Sequence, residues 1–173
     1  MTFAAITQHS YSRSPWRAPP LILQIGALIL VLFCFTLTGC SLLPASHLPD
    51  NTPRAQVVKT AYQMLGTPYR YGGTSPGGFD CSGLVLFSYQ QAGFDVPRTA
   101  FDQYLRSTPV HNNHLQPGDL LFFTLRSRGV SHVGIYVGNG KFIHAPAFGR
   151  CVMESGLGEP YWQNHLVRAG RLF

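Results

Sequence analysis

The hydrophobic period of this 173-residue chain changes once, at Pro117-Gly118. Upstream of that dipeptide, apolar residues recur at helical spacing. Val57, Val58, Ala61, Tyr62 and Leu65 form one such stripe. Thr52 as N-cap and Pro53 at the first helical position open it, and Gly66 closes it. A second helix is expected from Cys81 to Gln91, with Leu84, Val85, Ser88 and Tyr89 on its buried side. A third, capped by Thr99, is expected over Ala100 to Leu105. Residues 66–79, with five glycines and two prolines, read as a loop. Downstream, short apolar runs predict strands over Asp119–Thr124, Val133–Val137, Lys141–Ala145, Arg150–Glu154 and Leu166–Leu172. Gly138-Asn139-Gly140 marks a hairpin. Helices first and a meandering antiparallel sheet second predict an α+β domain.

The N-terminus reads as an address. Leu21 to Leu37 is a 17-residue apolar run without charge, preceded by Arg13 and Arg17 and followed by Thr38-Gly39-Cys40. That order is the order of a secretory signal, and the run is shorter than the ~20 residues of a membrane span. Leu37 to Cys40 looks like a bacterial lipobox. The expectation is a lipoprotein signal peptide over residues 1–39 and a lipidated Cys40 with a tether over residues 40–52. One domain then fills residues 53–173. Ser41, which is not aspartate, points to the outer membrane and the periplasmic side. Across the chain, 45% apolar and 12% charged residues exclude a disordered chain. The net charge of +6 falls to +4 once Arg13 and Arg17 are set aside, with no basic run of the kind that binds nucleic acid.

Beyond Cys34 in the signal and Cys40, two cysteines remain, Cys81 and Cys151. No CxxC pair or zinc spacing is present, and a disulfide between the two is the lesser expectation. Cys81 opens a helix, where unpaired N–H groups and the dipole favour a thiolate. A buried structural cysteine has the same local signature, so the histidines matter. His132 opens the strand Val133–Val137, and His144 lies on the next. A two-residue loop between those strands would set the histidines on opposite faces. A three-residue loop, Gly138 to Gly140, would make them diagonal neighbours on one face, about 7–8 Å apart at the backbone. The second arrangement suits a base and its orienter.

These residues lie in strings that resemble the NlpC family of bacterial cell-wall cysteine peptidases. The strings are Gly66-Thr67-Pro68-Tyr69-Arg70-Tyr71-Gly72-Gly73, Phe79-Asp80-Cys81-Ser82-Gly83-Leu84-Val85, and Pro97-Arg98-Thr99-Ala100 with Gln103. They continue in Leu115-Gln116-Pro117-Gly118-Asp119-Leu120, Ser131-His132-Val133-Gly134-Ile135-Tyr136 and Phe142-Ile143-His144-Ala145. The resemblance runs from about Pro53 to Phe173. It implies a papain-like α+β fold, with helices packed on an antiparallel sheet of about five to six strands. It implies a Cys-His-His triad of Cys81 as nucleophile, His132 as general base and His144 as orienter, and no cofactor. Tyr69 would help bind the oxyanion beside the Cys81 N–H, and Asp80 and Ser82 would line the groove.

Arg98 has two expected roles in that frame, a substrate carboxylate or an ion pair with Asp80 or Asp102. Asp119 is expected to pin a turn, Cys151 to pack in a strand, and Tyr161 and Trp162 to fill core, with a groove wall as their lesser reading. The implied substrate is peptidoglycan, cut at stem-peptide amides of the D-glutamate/diaminopimelate type, by an enzyme held to the membrane through Cys40. An N-acyl amidase or acyltransferase using the same thiol, or a non-catalytic wall-binding lipoprotein, are the competing expectations.

Overall fold

In the computed structural model of the chain, the described residues are 51–125 and 129–173. The expected signal peptide, Cys40 and nearly all of the tether lie outside them. Helix α1 spans Pro53–Gln63, and the Thr52 hydroxyl accepts the Ala55 N–H at 3.2 Å. It buries Val57, Thr60 and Ala61. Tyr62 and Leu65, expected on the same stripe, are both 42% exposed, and Leu65 lies past the end of the helix. A two-stranded hairpin follows, β1 Thr74–Ser75 and β2 Gly78–Phe79. Helix α2, Cys81–Gln91, is capped by Asp80, whose carboxylate accepts the Gly83 N–H at 2.7 Å. A Cβ at Gly83 would collide with the Gly73 carbonyl, so glycine lets the helix start close on the preceding loop. Helix α3, Ala100–Arg106, is capped by Thr99 through the Asp102 N–H at 3.1 Å.

The main sheet comprises β3 Thr108–Val110, β4 Leu120–Phe123, β5 His132–Gly138, β6 Lys141–His144, β7 Met153–Gly156 and β8 Leu166–Arg171. Its order is β3-β8-β4-β5-β6-β7, antiparallel throughout. The expected α+β class and a six-stranded antiparallel sheet are therefore both present. β3 was absent from the strand pattern; it contains Pro109 and pairs along one edge only. Helix α4, Pro160–His165, was also absent from it and begins with proline at its first position.

The expected strand at 150–154 is displaced. Val152 exchanges hydrogen bonds with the loop after α1, donating to the Thr67 carbonyl and accepting from the Gly66 N–H, and Cys151 bridges Pro68. Those contacts delay sheet pairing until Met153 and leave Cys151 exposed rather than packed. Cys81 and Cys151 are both free, so no disulfide joins them.

β4 is buried on both faces. Leu120 and Phe122 join Val57, Leu84, Val85 and Tyr89 beneath the helices, whereas Leu121 and Phe123 pack with Phe142 and Trp162 on the opposite face. Asp119, fully buried, fastens both ends of this arrangement. Its carboxylate accepts from Arg54 of α1 at 3.0 Å, from Arg171 of β8 at 2.8 Å and from the Gln116 N–H at 2.8 Å.

The β5–β6 connection corrects the loop count. Gly138 pairs with Lys141 across a two-residue turn, Asn139-Gly140, both with positive φ (51° and 69°). Between Gly138 and Tyr136 the register shifts, so Tyr136 faces Phe142 and Ile135 faces Ile143. A bulge at Val137, rather than a third loop residue, thus puts His132 and His144 on one face.

Candidate active site

Cys81 is the first residue of α2, and its sulfur meets the backbone N–H groups of Val133, Ser82 and Cys81 itself. The helix start that was expected to favour a thiolate lies beneath β5. Burial consequently pushes the Cys81 thiol pKa up, and the neighbouring Asp80 charge adds to this, against the pull of those N–H groups. The expectation of a lowered thiol pKa is reversed: the helix terminus is present, but the half-buried sulfur loses more hydration than the N–H groups return.

His132 opens β5 and His144 ends β6, both almost fully buried. His132 Nε2 lies 2.9 Å from His144 Nδ1. His144 Nε2 lies 3.1 Å from Ser155 Oγ on β7. Trp162 backs the pair, stacked on His132 at 6.0 Å between ring centroids and edge-on to His144 at 4.8 Å. Desolvation lowers the His132 pKa to about 4. The same cause, then the proximity of His132 and of Arg150, lowers that of His144 to about 3. Both rings are neutral at pH 7, so each hydrogen bond along the chain has one donor. With His132 Nδ1 unprotonated, Nε2–H donates to His144 Nδ1 and His144 Nε2–H donates to Ser155 Oγ.

Cys81 and His132 line one cleft of about 320 Å³ together with Tyr69. Tyr71 and Phe148 form its rim, 89% and 90% exposed. The structure thus brings Cys81, His132 and Tyr69 to one cavity, with His144 directly behind His132.

Asp80 and Ser82 border an adjoining cavity of about 460 Å³ that also reaches Cys81. Of the two roles expected for Arg98, the ion pair with Asp80 is formed. Its two terminal nitrogens donate to the two Asp80 oxygens at 3.1 and 2.5 Å, and one donates to Ser82 Oγ at 3.0 Å. Asp102 instead accepts from its own cap, Thr99. Asp80 also receives the Gly72 N–H at 3.0 Å, so one buried carboxylate joins the loop before the nucleophile, the helix start and Arg98.

Two contributors were given no role by the sequence, Gln103, which lies in one of the motif strings, and Ser155, which lies in none. Gln103, fully buried, donates to the Ser82 and Pro97 carbonyls at 3.1 and 2.8 Å and holds the first turn of α2. Ser155 is the diagonal neighbour of His144, because His144 pairs with Met153 across β6–β7. A strand expected to stop at Glu154 could not reveal it. Trp162, expected chiefly to fill core, is buried and packs on both imidazoles, whereas Tyr161, given the same expectation, is 52% exposed.

The chain is 49% identical over 115 residues to a protein of Escherichia coli named Murein DD-endopeptidase MepH, a match over 64% of this chain and 42% of that one. It is 44% identical over 135 residues to Probable endopeptidase YafL of the same organism, over 75% of this chain and 53% of the relative. The chain therefore spans about half the length of these relatives. Among solved structures, an NlpC/P60 family protein from Bacillus cereus superposes with a TM-score of 0.65 at 36% identity, covering 69% of this chain and 40% of that one. Residues 66–171, which hold the thiol cleft, both histidines and all six main-sheet strands in full, match the NlpC/P60 family. The chain belongs to the NlpC/P60 family.

Proposed function

We propose that this protein is a cysteine endopeptidase that hydrolyses amide bonds in the stem peptides of peptidoglycan. The observation that carries the proposal is the 2.9 Å contact between His132 and His144 directly behind the cleft that His132 shares with Cys81. In this reading the Cys81 thiol is protonated at rest and His132 is neutral. As the sulfur attacks the amide carbonyl, His132 Nδ1 takes the thiol proton and the carbonyl oxygen becomes an oxyanion. The Cys81 N–H and Tyr69 stabilise that oxyanion. Burial makes the His132 imidazolium a strong acid, so it readily protonates the leaving amine. Water, deprotonated by His132, then releases the acyl group from Cys81. His144 holds the ring of His132 in the tautomer this sequence of steps requires.

The relatives' names support peptidoglycan as the polymer and divide over the bond. MepH is named a murein DD-endopeptidase, whereas CwlT of Bacillus subtilis, 42% identical over 119 residues, is named a muramidase/DL-endopeptidase. The bond at D-glutamate or diaminopimelate is the one that the family resemblance implies. Incubation of the full chain with purified peptidoglycan fragments, read by mass spectrometry against Cys81→Ala, tests both levels. Products absent with Cys81→Ala establish the thiol mechanism, and their masses name the bond. Cleavage that persists in Cys81→Ala overturns it. In the same proposal Cys40 carries the lipid that anchors the enzyme at the periplasmic face of the outer membrane. Incorporation of labelled palmitate, lost in Cys40→Ala, is the corresponding test.

A further inference from the structure

Three cavities share walls in a row, with the thiol cleft in the middle. The central cleft shares Tyr69, Tyr71, Cys81 and Ser131 with the cavity over Asp80 and Arg98. On its other side it shares Leu125, Pro146 and Ala147 with a larger cavity of about 500 Å³, which reaches His144. Nothing in the proposed mechanism uses this last cavity.

Its wall combines an aromatic surface, Trp162 and Tyr161, with three charged side chains, Arg150, Glu154 and Glu159. The two acids are engaged. Glu154 accepts from Lys141 at 2.7 Å and from the Tyr62 hydroxyl at 3.1 Å, and Glu159 accepts the Gly156 N–H at 2.9 Å. Arg150 differs. Its guanidinium touches the Met153 sulfur at 3.4 Å and has no carboxylate partner among the described residues. Its charge acts across the cavity, since it helps hold the His144 pKa down. Its backbone is pinned, accepting the Tyr69 N–H at 2.8 Å and donating to the Ala147 carbonyl at 3.2 Å. A fixed backbone thus presents an uncommitted planar cation beside an apolar surface, a combination that fits a carboxylate on an aliphatic stem. The charge of Glu159, unmatched by any cation among the described residues, restricts the cavity to a single carboxylate rather than a polyanion.

We infer that this cavity is the subsite for the residue that supplies the leaving amine, and that Arg150 binds a free carboxylate on that residue. The inference rests on the cysteine-peptidase reading. The acyl group stays bonded to Cys81, whereas the leaving nitrogen must meet the proton on His132. The leaving segment therefore lies on the histidine side of the thiol, where this cavity opens.

Two stem-peptide substrates test it, identical except that the leaving residue carries a free carboxylate or its amide. The full wild-type chain is expected to cleave the carboxylate form about tenfold faster in kcat/KM, the worth of one exposed charge-assisted contact. Arg150→Ala is expected to lose that tenfold on the carboxylate substrate alone, and Arg150→Lys to recover part of it. Arg150→Ala that keeps the full discrimination overturns the inference. Calorimetric binding of the carboxylate-bearing leaving fragment to Cys81→Ala reads the subsite without any bond being cut. Affinity that falls about tenfold in Cys81→Ala/Arg150→Ala supports the subsite, and affinity indifferent to Arg150 overturns it. A chain that binds the fragment through Arg150 yet cuts neither substrate leaves the subsite standing and overturns the peptidase reading.

Discussion

His144 Nε2 and Ser155 Oγ stand 3.1 Å apart across the β6–β7 pair, and His144 Nδ1 faces His132 at 2.9 Å. A serine that fixes one imidazole therefore bears on the tautomer of the next. Ser155→Ala removes the acceptor for the His144 N–H. His144 is then free to place its proton on Nδ1, which would turn His132 Nε2 into an acceptor and its Nδ1 into a donor. The expected result is a fall in kcat of about tenfold with KM unchanged, the equivalent of one lost hydrogen bond of about 1.4 kcal/mol. Ser155→Thr keeps the hydroxyl and is expected to restore most of the rate. His132→Ala is expected to lose more than His144→Ala, in the 10²–10⁴ range of about one general base. Steady-state kinetics on a stem-peptide substrate reads all four, and equal losses in Ser155→Ala and Ser155→Thr would remove the hydroxyl from the argument.

The two buried histidines also set how the fold responds to acid. Both hold their protons less tightly folded than unfolded, with values of about 4 and about 3 against an ordinary 6.5. Their contribution is fully present above pH 6.5 and is lost as pH falls through the folded values, because the unfolded chain takes up protons the fold refuses. For His132 alone the loss approaches roughly 3 kcal/mol by pH 4. Urea unfolding midpoints measured between pH 7 and pH 4 are expected to drop steeply. His132→Phe, which removes one of the two titrating groups, is expected to flatten that slope.

What the sequence made legible was local. Thr52, Thr99 and the Cys81–Gln91 stripe mark helices because caps and periodicity act within a few residues, and all three helices lie where they were expected. The paired histidines were half legible. Their face depended on the register, and the register is set by a bulge at Val137 that follows from cross-strand packing rather than from the Gly138-Asn139-Gly140 string. Ser155, the exposure of Cys151 and the direction of the Cys81 pKa depend on contacts between segments far apart in the chain. Residues 150–152 leave the sheet because the loop after α1 offers them hydrogen bonds, and the α2 terminus is desolvated because β5 covers it.

Asp119 supplies the severest stability prediction. Its carboxylate is fully buried and answers two guanidinium groups from opposite ends of the domain. Asp119→Ala leaves Arg54 and Arg171 without their shared anion and opens a void beside the Gln116 N–H. The expected cost is about 3–5 kcal/mol of unfolding free energy, read from urea titration. Asp119→Asn keeps the shape and the acceptor oxygen and is expected to cost less. Activity per folded molecule should survive in Asp119→Asn, since Asp119 lines none of the three cavities around the thiol.

The thiol gives the last prediction, and its sign runs against the usual expectation for a nucleophilic cysteine. Burial raises the pKa of Cys81, so the proton stays on sulfur to higher pH than in an ordinary thiol. His132, neutral at pH 7, does not hold a permanent imidazolium beside it. Alkylation requires the thiolate. In the chain without substrate, iodoacetamide is therefore expected to modify exposed Cys151 at neutral pH and Cys81 only as pH rises further, with peptide mass spectrometry separating the two sites. Turnover at pH 7 then has to move the proton during attack rather than before it, and kcat/KM is expected to fall in heavy water. Faster alkylation of Cys81 than of Cys151 at pH 7, with no isotope effect, would mean that thiolate and imidazolium already coexist in the resting site.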